Sequence, residues 1–150
     1  TPRSSSAASD VYKRQDCIDD FVDLDYEGRF LRRKKLSSNT GEEFLVELPE
    51  THSLSENDSF LLDDGRVIGI KLKPEPLLKI THSNLARIAW HIGNRHTPCQ
   101  VGKNFLLIKE DHVLEIMLEK LGAQTEKLIA KFTPEGGAYG HGRTHNHHHD

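Results

Sequence analysis

The chain has 150 residues, of which 35% are hydrophobic and 29% charged, with a formal net charge of -3. That length fits one ordinary domain or two small ones, and the composition lies far from that of a disordered chain. A pI of about 6.3 gives no global positive field to hold nucleic acid or an anionic membrane. No apolar run approaches the roughly 18 residues of a membrane span, and no apolar core of a secretory signal is seen near the N-terminus. Two cysteines, Cys17 and Cys99, make neither a disulfide framework nor a thiolate zinc site. A cytoplasmic protein is the expectation.

Residues 1–15 are rich in Ser and Ala, show neither helical nor strand periodicity, and are expected to lie outside the fold as a disordered or non-native extension. Residues 16–74 read as short strands separated by turn chemistry, which predicts a small all-β domain. Residues 30–36 and 42–48 form a hairpin about Ser38-Asn39-Thr40-Gly41, with Phe44, Val46 and Leu48 alternating onto one face. The basic run Arg32-Arg33-Lys34-Lys35 fits a solvated sheet edge that deters aggregation. A second hairpin, residues 59–63 and 66–73, turns through Asp64-Gly65, a pair suited to positive φ angles. Pro74 and Pro76 then remove backbone donors and mark an inter-domain joint.

Beyond it the period changes. After a strand at 77–81, Leu85, Ile88, Ala89 and Ile92 recur at i, i+3, i+4 and i+7, predicting an amphipathic helix with Ser83 as cap and Gly93 as stop. Strands at 99–101 and 104–109 turn at Gly102. A second helix runs from an Asp111 cap through Leu114, Met117, Leu118 and Leu121 to Gly122, and a strand at 125–132 follows. The order β-α-β-β-α-β over residues 75–134 is that of a ferredoxin-like domain, with both helices on one face of a four-stranded sheet. The fold class is therefore α+β: a β-rich N-terminal domain, a ferredoxin-like domain, and a flexible His-rich tail at 135–150.

Five of the ten histidines, His141, His145, His147, His148 and His149, lie in the last ten residues. Neutral imidazole ligates Ni, Zn and Cu, and a flexible tail brings several such nitrogens within chelating reach without a preformed cage. An affinity tag is the alternative, but only three of these histidines are contiguous, and Arg143, Thr144 and Asn146 interrupt the run. Gly136-Gly137-Ala138-Tyr139-Gly140 leads into the tail as a hinge or a plain linker.

His91 sits at the edge of the first helix's apolar stripe, where a structural hydrogen bond competes with metal ligation. His96 falls beyond the Gly93 stop in a polar loop ending at Pro98, where a side chain projects from a rigid base, and is the better ligand candidate. His112 occupies the first turn of the second helix, where the dipole disfavours imidazolium and leaves a lone pair available; plain solvated surface is the alternative. Cys99 offers either a soft sulfur near His96 or a small buried hydrophobe. No phosphate-cradling loop, Gly-x-Ser-x-Gly or His-Glu-x-x-His string occurs, so catalysis has no foothold.

The strings Ala89-Trp90-His91-Ile92-Gly93-Asn94-Arg95-His96, Asp111-His112-Val113 and Pro134-Glu135-Gly136-Gly137-Ala138-Tyr139-Gly140-His141 together resemble the UreE family of urease accessory proteins, nickel metallochaperones. The likeness extends from about residue 16 to the C-terminus. It implies a peptide-binding β domain, a metal-binding ferredoxin-like domain, and a homodimer formed through the latter. It further implies that His96 of each protomer holds Ni(II) across the two-fold axis, that tail histidines, His141 or His145 with neighbours such as His147, complete the site, and that His112 matches a peripheral metal position. The implied partners are the urease accessory GTPase and the urease pre-activation complex. Cys99 departs from the aliphatic residue of the family, which leaves Cu(II) or Zn(II) binding open. A general His-rich metal buffer is the competing reading, because intrinsic affinity rises from Ni to Cu.

Overall fold

Alternating apolar residues build the first half of the chain into a sheet. The computed structural model describes residues 6–13 and 17–136, and the chain divides between Lys73 and Pro74 into two units. The first contains β1 (Ser6–Lys13), β2 (Asp20–Leu24), β3 (Phe30–Ser37), β4 (Glu43–Ser53), β5 (Asp58–Leu62) and β6 (Val67–Leu72), joined in one sheet of order β2-β6-β5-β1-β4-β3. Phe44, Val46, Leu48, Phe60, Ile68 and Ile70 fill its core, with the Phe44 and Phe60 rings 5.7 Å apart and tilted by 56°. Gly41 and Gly65 take the positive φ angles of the two hairpin turns.

The expectation that residues 1–15 lie outside the fold does not hold for Ser6–Lys13. This segment is β1, parallel to β4 on one side and antiparallel to β5 on the other. A Ser/Ala-rich stretch gives no hydrophobic signal, yet Ala8 is buried and the backbone gains a ladder on both sides. Ser6 is also built into a polar cluster: its hydroxyl donates to Asp64 Oδ2 at 2.9 Å and accepts from Arg66 at 3.0 Å. The Arg66 hydrogen bonds hold the Asp64 carboxyl far below the usual carboxylate range. The basic strand β3 is a sheet edge, as its charge suggests, with Lys35 3.1 Å from Glu43 and Arg33 3.6 Å from Glu47. Its partner β4 runs past residue 48, and Pro49 falls where the β3–β4 register shifts, a position that tolerates a missing donor.

The second unit runs β7 (Glu75–Thr81), α1 (Leu85–Asn94), β8 (Gln100–Val101), β9 (Leu106–Lys109), α2 (His112–Lys120) and β10 (Gln124–Ala130). Its sheet has the order β10-β7-β9-β8 with every neighbouring pair antiparallel. Leu78, Ile80, Leu106 and Ile108 present one sheet face to Ile88 and Ile92 of α1 and Leu114 and Leu118 of α2, in one core. Ile88 and Ile92 are wholly buried, each contributing roughly 1.5–3 kcal/mol of transfer free energy. Pairing places Leu77, Lys79, Leu107 and Gln100 on the opposite face.

Two details of α1 differ from expectation. The cap is Asn84 rather than Ser83: Asn84 Oδ1 accepts the Arg87 N–H at 3.2 Å, which Ser83, one position earlier, does not. Gly93 does not stop the helix, which continues through it to Asn94. The expected cap at Asp111 is present, accepting the Leu114 N–H at 3.0 Å.

Of the expected tail at 135–150, only residues 135–136 are described. After β10 the chain stays attached: Phe132 is wholly buried, the Thr133 N–H donates to Gln100 Oε1 at 2.8 Å, and the Glu135 N–H donates to the Cys99 carbonyl at 2.9 Å. The remainder of the expected tail, residues 137–150, lies outside the described residues.

The β8–β9 turn closes by the Gly102 N–H donating to the Phe105 carbonyl at 2.9 Å, with the Phe105 ring lying directly over Gly102 and Lys79 Nζ 5.2 Å from the ring centre. A methyl group at Gly102 would collide with that ring. Gly102→Ala is therefore expected to lower stability by about 1–3 kcal/mol in denaturant unfolding, and a smaller loss in a Phe105→Ala background would assign the effect to the ring.

Candidate metal centre

Both helices end in the same backbone motif. At the end of α2, Gly122 has φ +86, its N–H donates to the Glu119 carbonyl, and the Ala123 N–H donates to the Leu118 carbonyl, each at 3.0 Å. At the end of α1, the His96 N–H donates to the Gly93 carbonyl at 2.9 Å and the Thr97 N–H to the Ile92 carbonyl at 3.3 Å. This is the paired bonding of a Schellman ending, which calls for a left-handed residue. His96 supplies it with φ +59 where α2 uses glycine. Among the described residues it is the one non-glycine position with positive φ, and such a conformation costs about 1–3 kcal/mol for an L-residue.

The consequence is positional. The strained backbone turns the chain sharply away from α1 and leaves the His96 side chain exposed at the helix C-terminus, the negative end of the helix dipole, where a cation is favoured. Ile92, wholly buried in the core, anchors the motif from within.

The other sequence candidates are dispersed. His91 is half-buried on α1, its ring 5.1 Å from Trp90 and nearly perpendicular to it. His112 opens α2 with its side chain 84% exposed and Nδ1 3.9 Å from Glu115 Oε1. Among the described residues no three His, Cys, Asp or Glu side chains gather closely enough to hold a metal ion. His141, His145 and His147, with His148 and His149, lie outside the described residues.

Cys99 resolves toward its hydrophobic reading. It is half-buried and packs against the core of the second unit. Burial, helped by the nearby Glu135 carboxylate, pushes its thiol up to about 11. A thiol must lose its proton to ligate or attack. Cys99 is thus protonated near neutrality, and its reactivity develops only as pH rises toward that value.

Three features escaped the sequence. Trp90 is 63% exposed on α1, preceding Gly93 and Asn94 by one helical turn. His82 makes a structural bond, its Nδ1 accepting the Asn84 N–H at 2.8 Å just ahead of α1. The bonds from Thr133 and Glu135 to β8 and its preceding residue join positions more than thirty residues apart, for which no local pattern exists.

The left-handed assignment gives a stability prediction independent of metal. His96→Gly is expected to raise stability by about 0.5–1 kcal/mol, by relieving the strain against glycine's greater unfolded entropy, whereas His96→Val should lower it; thermal unfolding of the metal-free chain distinguishes these outcomes. For the thiol, iodoacetamide at pH 8 should modify exposed Cys17 well before Cys99, with the Cys99 rate climbing between pH 9 and 11, as mass mapping of the two peptides would record.

Family comparisons cover both units. Residues 7–73 match the UreE urease accessory protein N-terminal domain, and residues 75–150 match the C-terminal domain. The chain is 54% identical over 131 residues to the urease accessory protein UreE of Ruegeria pomeroyi, covering 87% of this chain and 88% of the relative. It is 56% identical over 126 residues to that of a Ruegeria species, covering 84% and 72%, and 54% identical over 130 residues to that of Rhodobacter capsulatus, covering 87% and 83%. With both family domains matched in order along one chain, and His96 set on the left-handed end of α1 within the second, the protein belongs to the UreE family of urease accessory proteins.

Proposed function

We propose that this chain is a nickel metallochaperone that delivers Ni(II) during assembly of the urease active site, a carrier rather than a catalyst. The observation that carries the reading is His96, an exposed imidazole held by a strained backbone at the negative end of a helix. Membership of a urease accessory family supplies the biological setting.

In this reading residues 75–134 are a ferredoxin-like metal-binding domain, supported by the β-α-β-β-α-β element order and the β10-β7-β9-β8 sheet. Residues up to 74 are a peptide-binding domain, and residues from 135 carry the histidine tail. The functional unit is a homodimer in which His96 of each protomer meets across the two-fold axis, since an isologous interface duplicates any ligand near its axis. The exposed Trp90, one turn before the Gly93-Asn94-Arg95-His96 string, supplies the apolar surface such an interface would bury. His141, His145 and His147 load and unload the ion as exchangeable arms, and His112 is a peripheral metal position. Tethering these imidazoles raises their effective concentration while leaving them exchangeable, which suits a carrier that must release its cargo. Ligation needs neutral imidazole, so acid promotes release. The partners are the urease accessory GTPase and the urease pre-activation complex, and the setting is the cytoplasm; no helix among the described residues is long and apolar enough to cross a membrane.

Calorimetric titration with Ni(II) tests the assignment. His96→Ala should abolish the tightest site of the dimer, while truncation after Gly140 should reduce the number of ions bound and their affinity without abolishing that site. A high-affinity isotherm that survives His96→Ala would refute the interfacial site. Parallel titrations with Cu(II) and Zn(II) separate a nickel carrier from a general metal buffer: a buffer follows the intrinsic order of affinities with no dependence on His96.

A further inference from the structure

Strand β3 carries four cations in succession, Arg32, Arg33, Lys34 and Lys35, all exposed, in a chain whose formal net charge is -3. It ends the six-stranded sheet and pairs with β4 alone, so its outer side offers backbone donors and acceptors to a further strand. Only part of the charge is answered. Arg33 lies 3.6 Å from Glu47 and Lys35 3.1 Å from Glu43 across the ladder. Lys34 stands opposite apolar Val46, and Arg32 falls in the register shift between Leu31 and Arg33; neither has a carboxylate partner among the described residues. A second copy does not fit this edge. Two β3 strands side by side would set like charges against each other. The acidic strand at the far edge, β2, is already engaged within its own chain: Thr40 Oγ1 donates to Asp20, Asn39 Nδ2 to Asp23, and the Asn39 N–H to the Phe21 carbonyl.

We propose that the outer edge of β3 docks an extended acidic segment of another protein as an added strand, with Arg32 and Lys34 selecting its carboxylates. Main-chain pairing along the edge supplies affinity with little regard to sequence, and the two unanswered cations supply the preference. The charges that turn away a second copy admit a strand of opposite sign. The inference deepens the reading of the first unit as a peptide-binding domain and is independent of the metal site.

The test is fluorescence anisotropy of the full chain with a labelled eight-residue peptide of alternating glutamate and valine, matched in length to β3, beside the same peptide with glutamine for glutamate. The acidic peptide should bind more tightly, and the double variant Arg32→Glu, Lys34→Glu should weaken it about tenfold with thermal unfolding unchanged, since both side chains are exposed. Hydrogen exchange at the amides of Leu31–Leu36 should slow when the acidic peptide is bound. If the double variant fails to fold, the neutral pair Arg32→Gln, Lys34→Gln is read in its place, with a smaller loss expected. Equal binding of both peptides, indifferent to the double variant, overturns the basic-edge assignment and leaves the peptide-binding reading standing, whereas no binding of either peptide overturns both. Unprotected β3 amides in the presence of bound acidic peptide overturn strand addition. An oligothymidylate that displaces the acidic peptide and binds at least as tightly marks a general polyanion surface and likewise overturns the proposal.

Discussion

The second unit depends on how α1 is ended. Two backbone hydrogen bonds, from His96 to Gly93 and from Thr97 to Ile92, fold the chain back on itself and hold an L-residue in a conformation that glycine adopts freely. The buried Ile92 ties that reversal to the core. An imidazole on an ordinary surface loop would sample many orientations. Here the helix, its termination and the core beneath it fix where the side chain leaves the backbone. The strain at this position and the glycine at the equivalent position of α2 make one comparison: the same turn is available without strain, and the chain carries a histidine there instead.

Around that point the second unit draws together distant parts of the chain. β8 follows His96 within a few residues, Cys99 packs into the core as a protonated thiol, and the chain leaving β10 returns to the same strand. Residues far apart in sequence are thereby collected near the C-terminal end of α1. The core needs little from them. Its buried apolar contacts come from Leu78, Ile80, Ile88, Ile92, Leu114 and Leu118.

Much of this was legible because it is local. Hairpin turns at Gly41 and Gly65, the apolar stripe of α1 and the Asp111 cap are written in spacings of two to seven residues. Candidate ligands were legible as residue types, His96 foremost, together with the family strings that surround it. What could not be read was whatever depends on backbone partners. β1 has no hydrophobic alternation and becomes a strand because β4 and β5 flank it. Gly93 looked like a helix stop because glycine favours left-handed ends, whereas the chain places that reversal three residues later on a histidine, against local propensity. Ser83 and Asn84 are equally good caps by type, and only the reach to the Arg87 amide separates them. The path of residues 131–135 is set by a buried ring and two backbone donors, none of which has a periodicity.

The position of β1 has a bearing on how the first unit comes into being. It is the first of the described strands, yet it lies inside the sheet and joins the pair β4-β3 to the trio β2-β6-β5. Its neighbours end at Ser53 and Leu62, so some fifty residues must emerge during synthesis before Ser6–Lys13 has both edges to bind. Pairings of such long sequence separation form slowly, because the loop must close before any contact rewards it. Until then two incomplete sheets expose open edges of the kind that recruit other chains, and assembly of this half hinges on β1 arriving last.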